Sequence, residues 1–325
     1  MKAMQFEVDG PIEWAEVPDV SAAPGEVVVE IAATAVNRAD LLQRAGGYAP
    51  PAGESEVLGL ECSGTIVELG EDVTGWSVGD EVCALLAGGG YAERAGVPTT
   101  QLLPVPAGVS LAEAAALPEA VCTVWTAIRE LPLPEPGDLA LVHGGSGGIG
   151  TMAIQMLRAR GYRVAVTASA RNHALCLSLG AELAIDYRTD DFVEVVLGAT
   201  DGHGATAILD VIGADYLDRN VQALAPDGTL TVIAVQGGTQ AEVDLRALMR
   251  RRVTLRAMTL RARPRTGRGS KATVIEQVRE HIWPLIESGE VRPVIGATMP
   301  LTDADAAHGL MGSPQAPGGK ILLVR

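Results

Sequence analysis

The feature that most constrains this chain is a glycine run that closes an apolar strand: Val142-His143-Gly144-Gly145-Ser146-Gly147-Gly148-Ile149-Gly150-Thr151. Gly145, Gly147 and Gly150 fit the pattern G-x-G-x-x-G. A side chain at either of the first two would block a tight turn and the approach of a pyrophosphate. A side chain at the third would push the following helix off its strand. That helix aims free N–H groups at whatever anion sits in the turn. Alone, the motif also describes a glycine-rich turn with no ligand. Its context decides the matter. Six strand-like runs succeed one another between Asp138 and Thr259: L-A-L-V-H, R-V-A-V-T, L-A-I-D-Y, A-I-L-D-V, T-L-T-V-I-A-V and T-L-R-A-M. Helical segments such as Met152–Arg160 and Tyr216–Leu224 separate them. Continuous apolar strands joined by helices predict a parallel, doubly wound sheet, and the loop then predicts a dinucleotide site at Gly145, Ser146, Gly147, Gly148, Ile149 and Gly150.

The second strand of this set ends at Thr167-Ala168-Ser169. A site for NAD places Asp or Glu there, on the ribose 2′-hydroxyl. Here Ser169 is succeeded by Arg171, and a hydroxyl plus a guanidinium suits a 2′-phosphate. Ser169 also reads as a helix N-cap, and Arg171 as a solvated first-turn residue.

Residues 1–118 have a different texture. Glu26–Ala33, Glu61–Leu69 and Glu81–Leu86 are short strand-like segments between Gly and Pro. A helix is expected from Val36 to Arg44, and Pro98 to Pro106 reads as a surface connection. Beyond the alternating region come a helix around Thr273–Glu287 and a last strand, Lys320–Val324. At 325 residues the chain is long enough for two domains. Its net charge of −15 excludes a general nucleic-acid binder and disfavours an anionic membrane surface. Glu7 and Asp9 leave no apolar core for a signal peptide. The four cysteines, Cys62, Cys83, Cys122 and Cys176, lie far apart among apolar neighbours, as small buried hydrophobes in a reducing cytoplasm do.

Further motifs give the chain a family likeness: N-R-A-D-L-L-Q-R at 37–44, G-G-Y-A-P-P at 46–51, L-G-L-E at 58–61, G-D-E-V at 79–82, L-P-E-A at 117–120, L-D-V-I-G at 209–213 and G-K-I-L-L at 319–323. Together with the glycine loop they resemble the zinc-free quinone oxidoreductase branch of the medium-chain dehydrogenase/reductase superfamily. The likeness is greatest to the tumour-suppressor-inducible quinone oxidoreductases. The resemblance implies an α/β fold in which a Rossmann domain, 119–287, is inserted into a GroES-like β-rich domain, 1–118 and 288–325. It implies NADPH in the cleft between them and a homodimer. By this resemblance Asn37 and Tyr48 line the nicotinamide and substrate end. Thr123 faces the cofactor, and Tyr187 joins Ser169 and Arg171 around the adenosine phosphate. Ile212, Val235, Gln236, Leu260 and Arg261 edge the nicotinamide, with Lys320 a further cofactor contact. In the subgroup the position of Gly147 often carries serine.

Zinc-dependent members of the superfamily take ligands from an early Cys and a G-H-E motif. Asn37 and Leu60 stand at those places, so no metal is expected. No nucleophile–base constellation is visible either. Hydride transfer is chemistry of the cofactor, and the protein supplies position and electrostatics. Tyr48 is the first candidate for a proton donor and Asn37 the second. Positive charge gathers at 246–271, with ten Arg or Lys and no Asp or Glu. It reads as attraction for an anionic cofactor, as a nucleic-acid contact, or as a solvated face, and 262–270 reads as a mobile loop. The expected function is NADPH-dependent hydride transfer to quinones or similar conjugated carbonyls. Reduction of an enone or enoyl double bond, and a nucleotide-binding regulator with an RNA or protein partner, are the alternatives.

Overall fold

In a computed structural model of the chain, residues 1–8 and 10–325 are described, and Asp9 lies outside them. Thr123–Thr259 form one unit; Met1–Cys122 and Leu260–Arg325 form the other.

The 123–259 unit is a six-stranded sheet. Its strands in chain order are β1 (Leu139–His143), β2 (Arg163–Ala168), β3 (Leu183–Asp186), β4 (Ala205–Asp210), β5 (Leu224–Val232) and β6 (Thr254–Ala257). The helices between them are α1 (Gly148–Ala159), α2 (His173–Ser178), α3 (Phe192–Ala199), α4 (Leu217–Ala223) and α5 (Leu245–Arg251). Across the sheet the order is β3-β2-β1-β4-β5-β6, every pair parallel. The order reverses between β1 and β4, which is where doubly wound sheets bind nucleotides. Every residue of β1 is buried. Helices on both faces require this, and it is why the strand reads as an unbroken apolar run. Leu139, Leu141, Ala165, Ile185, Phe192, Ile208 and Leu230 form the core.

The other unit is mainly a seven-stranded sheet, with a separate hairpin of Lys2–Phe6 on Ile12–Glu16. Glu26–Ala35 is its hub, pairing with Glu61–Leu69, Arg94–Pro98 and Lys320–Val324. Lys320–Val324 thus brings the chain's last strand beside its first long one. Helix Arg38–Arg44 starts just after that hub, within the expected 36–44.

Four expectations change. Pro98–Pro106 is more than a connection: Leu102–Pro104 is a strand on Glu81–Leu85, with Leu102 and Leu103 buried. Pro104 is tolerated because this strand ends the sheet. The 273–287 helix is two helices, Lys271–His281 and Trp283–Glu287, since Pro284 has no N–H to continue the first. The division between units falls at 122/123 and 259/260, not at 118/119 and 287/288. Residues 260–287 belong with the β-rich unit because Trp283 Nε1 donates to Pro104 O (3.0 Å) and Lys271–His281 packs on Thr99–Gln101. The 262–270 loop is pinned by Arg265, which pairs with Glu26 (2.6 Å) and Glu54 (2.9 Å).

Candidate functional site

The three glycines of the loop have separate causes. A Cβ on Gly145 would sit 2.5 Å from Val166 Cβ, and one on Gly150 would sit 2.2 Å from Gly144 O. Strand–helix packing demands both. A Cβ on Gly147 would meet nothing nearer than Gly144 O at 3.6 Å, and the residue's φ of −76° suits any side chain. Nothing in the protein requires glycine there, so the open space suits a group that approaches from outside. Gly147 caps α1, and the first turn, Gly148, Ile149 and Gly150, offers N–H groups without intrahelical acceptors at the positive end of the helix dipole. This cradle fits a pyrophosphate.

At the end of β2, Ser169 is buried and caps a short turn, Ala170–Asn172, that carries the exposed Arg171. Asp186 of β3 pairs with Ala168, the last residues of the two strands, and Tyr187 and Ser169 each follow directly in sequence. The Tyr187 ring is exposed, with the Arg188 guanidinium 5.5 Å from its centroid. Asn172, which sequence reasoning passed over, donates to Ser146 Oγ (3.1 Å) and Ser169 Oγ (3.4 Å), tying the glycine loop to this corner.

Beyond β4, the Ile212 and Gly213 N–H groups donate to Asp210 (2.6 and 3.1 Å). Gly213 takes a φ of +82°, open to glycine. The segment after β5 runs alongside: Gln236 N–H reaches Val211 O (3.2 Å) and Gly237 N–H reaches Ile212 O (2.7 Å). Ile212, Val235 and Gln236 are thus one patch, with Val235 exposed. Thr123 is buried in helix Pro118–Ile128.

In the β-rich unit, Asn37, Glu61 and Lys320 make a buried cluster. Lys320 Nζ donates to Asn37 Oδ1 (2.7 Å) and to Glu61 Oε1 (2.5 Å). Asn37 Nδ2 donates to Glu61 Oε1 (2.9 Å) and Ala35 O (3.1 Å). Lysine has only donors, and a carboxylate and a carbonyl have only acceptors, so these partners fix the amide's orientation. Both amide hydrogens are committed, and Oδ1 accepts from Lys320 Nζ and, in the capping box of helix Arg38–Arg44, from the Asp40 N–H. Asn37 is therefore an acceptor, which corrects its candidacy as a proton donor. Lys320 is held in an ion pair and acts on Asn37.

Arg261 is likewise an internal clamp. It donates to Ala87 O (2.7 Å), Tyr48 O (3.0 Å) and Gln43 Oε1 (2.7 Å), and its guanidinium lies 5.2 Å from the Tyr48 ring centroid. Leu260 beside it is buried. Asp40 accepts from the backbone N–H of Asn37 and Gly59 and from Tyr91 Oη, which in turn meets His308 Nε2 at 3.1 Å. Burial pushes the Asp40 carboxyl up to about 6 against the pull of those bonds.

Two family profiles match the chain: "Alcohol dehydrogenase GroES-like domain" over residues 23–107 and "Zinc-binding dehydrogenase" over residues 148–276. A 2-haloacrylate reductase of a Burkholderia species is 30% identical over 99% of this chain and 98% of its own length. A probable quinone oxidoreductase of Schizosaccharomyces pombe is 31% identical over 93% of this chain and 89% of its own. The chain belongs to the medium-chain dehydrogenase/reductase superfamily, in its quinone oxidoreductase branch. A mycobacterial protein solved in complex with NADPH has the same fold over the full length of both chains, with a TM-score of 0.89 and 29% identity.

By the family resemblance Asn37 and Leu60 stand where zinc-dependent members take a Cys and a His, and among the described residues no group of three or more His, Cys, Asp or Glu could hold a metal ion. Within the basic stretch Arg252 pairs with Asp227, Arg256 with Glu130 and Arg265 with two glutamates, while Arg261 and Lys271 are buried. No helix among the described residues is long and apolar enough to cross a membrane.

Proposed function

We propose that this chain transfers hydride from NADPH to quinones or similar conjugated carbonyls. The observation that carries the reading is the loop at Gly147, open in front of unpartnered helix N–H groups, beside a strand that ends in Ser169 and Arg171 instead of a carboxylate. NADPH, when bound, supplies the hydride. Gly145 to Gly150 would cradle its pyrophosphate; Ser169, Arg171 and Tyr187 would take the 2′-phosphate. Thr123, Ile212, Val235 and Gln236 would line the nicotinamide. By the family resemblance Asn37 would belong to the substrate end, with Lys320 fixing its side chain as an acceptor. Tyr48 remains the side chain suited to donate a proton, with water as the other source. Arg261 and Lys320 contribute by fixing Tyr48 and Asn37.

Similarity to a probable quinone oxidoreductase supports this acceptor class. Similarity to a 2-haloacrylate reductase over nearly the whole chain supports a second reading, reduction of an activated carbon–carbon double bond. The test monitors loss of NADPH absorbance with 1,4-benzoquinone, an ortho-quinone, an enone and 2-chloroacrylate. Turnover of the quinones supports the first reading, and turnover of the alkenes alone supports the second. Efficient oxidation of simple alcohols with NADP would overturn both.

A cytoplasmic homodimer completes the proposal. The four cysteines are free and buried. The outer edge of β6 carries the exposed Leu255, and exposed Leu245 and Met249 lie on α5. Light scattering that gives a monomer at micromolar concentration would refute the dimer.

A further inference from the structure

Below the C-terminal ends of β1, β2 and β4, four side chains form a buried line that none of the proposed contacts uses. Asn220 Nδ2 donates to Asp210 Oδ2 at 3.1 Å. Asn220 Oδ1 lies 2.7 Å from His143 Nε2, and His143 Nδ1 lies 3.0 Å from Thr167 Oγ1. Gly144 N–H donates to Thr167 Oγ1 at 3.3 Å. Asp210, Asn220, His143 and Thr167 are all buried. Phe192 and Tyr216 pack edge to face on the imidazole at 4.8 and 4.9 Å, and the Arg219 guanidinium lies over both of those rings.

The chemistry allows one polarity. Asp210 receives three N–H donors, from Ile212, Gly213 and Asn220, and no acceptor, so its oxygens only accept. That turns the Asn220 amide nitrogen toward Asp210 and its oxygen toward His143. His143 Nε2 must then carry hydrogen, and a neutral imidazole leaves Nδ1 as an acceptor. Thr167 O–H donates to Nδ1, and its oxygen is left to receive Gly144 N–H. Burial holds the His143 imidazole down to about 4, in keeping with a neutral ring. The line therefore runs one way, from Gly144 N–H to Asp210.

Its two ends are functional loops. Gly144 opens the glycine turn: its carbonyl accepts Gly147 N–H at 3.1 Å, and its φ of +71° sets the turn's direction. Asp210 holds the Ile212–Gly213 turn, and Thr167 stands two residues before Ser169. We propose that His143 is a positioning residue that locks the pyrophosphate loop to the nicotinamide-side loop through Asn220 and Thr167. The proposal rests on the dinucleotide reading given above. A histidine serves where an aliphatic side chain would not, because only a ring with a donor and an acceptor on opposite sides passes the polarity across β1.

The test uses the full chain. Thr167→Val keeps the shape and removes the hydroxyl; Thr167→Ser restores it. Titrations with NADPH, with ADP-ribose and with adenosine 2′-monophosphate separate the pyrophosphate loop from the 2′-phosphate corner. Thr167→Val should weaken NADPH and ADP-ribose by about tenfold, the scale of one buried hydrogen bond, and leave adenosine 2′-monophosphate within about twofold. Thr167→Ser should return NADPH to within about twofold of wild type. Nitrogen-15 spectra of labelled histidine should show His143 neutral and protonated at Nε2, and His143→Ala should reproduce the binding pattern of Thr167→Val. Equal weakening of all three probes, or a His143 protonated at Nδ1, would overturn the proposal. Wild-type binding to ADP-ribose with no binding to NADPH would instead overturn the cofactor reading while leaving the locked loop standing.

Discussion

Replacing Lys320 by methionine tests the buried cluster that orients Asn37. Lys320 is 5% exposed and Glu61 fully buried, and they meet at 2.5 Å. Methionine fills much of the volume and removes the charge. Glu61 then keeps two donors, Asn37 Nδ2 (2.9 Å) and the Glu119 N–H (2.9 Å), but loses its counter-charge. Breaking a buried pair from one side costs about 3–5 kcal/mol, because the remaining charge stays desolvated. Against a total of roughly 5–15 kcal/mol that is a large shift in the urea midpoint. Adding Glu61→Gln removes the stranded charge, and the double variant should recover at least about 2 kcal/mol relative to the sum of the singles. Both groups lie out of solvent, so added salt should change neither result much. Without Nζ, Asn37 Oδ1 loses its charged donor, and kcat/KM with quinone should fall in the folded variant. A Lys320→Met cost under about 1 kcal/mol, or additive singles, would refute the buried-pair argument.

Three further outcomes are expected. Gly147→Asp should separate fold from function: a carboxylate at the cap of α1 stabilises the helix by about 0.3–1 kcal/mol, while like-charge repulsion should weaken NADPH by more than about tenfold. Unchanged NADPH affinity in calorimetry would mean that no phosphate lies there. Arg171→Ala should weaken NADPH by about tenfold and leave NADH nearly unchanged, and equal losses would assign Arg171 to the fold or the pyrophosphate. Asp40 binds its proton more tightly folded, near 6, than at its ordinary 3.8. Stability from this group is therefore full below about pH 4 and is lost as pH rises through 6, by roughly 3 kcal/mol. The stability difference between wild type and Asp40→Asn should shift by that amount, against wild type, from pH 4 to pH 7; a flat difference would contradict the burial of Asp40.

Much of this protein is legible from its residues alone. The inner parallel strands β1, β2 and β4 are buried almost throughout, so each reads as a continuous apolar run, and helices with their own period separate them. The glycine loop is legible because a missing Cβ is a local requirement: Gly145 and Gly150 answer to atoms a few residues or one strand away. The corner at Ser169 is legible because its position is fixed by the end of a strand. The polar interior is not legible in this way. Asn37 meets Lys320 across 283 positions, and His143 meets Asn220 across 77. Arg261 holds the Tyr48 carbonyl from 213 positions away, and Asn37 Oδ1 accepts from Lys320. The physical reason is that periodicity and propensity report which positions are buried, whereas a hydrogen bond depends on distance, direction and the other partners of each atom. Those are settled only when distant segments pack, and only then is it decided which side chains touch a ligand and which hold the ones that do.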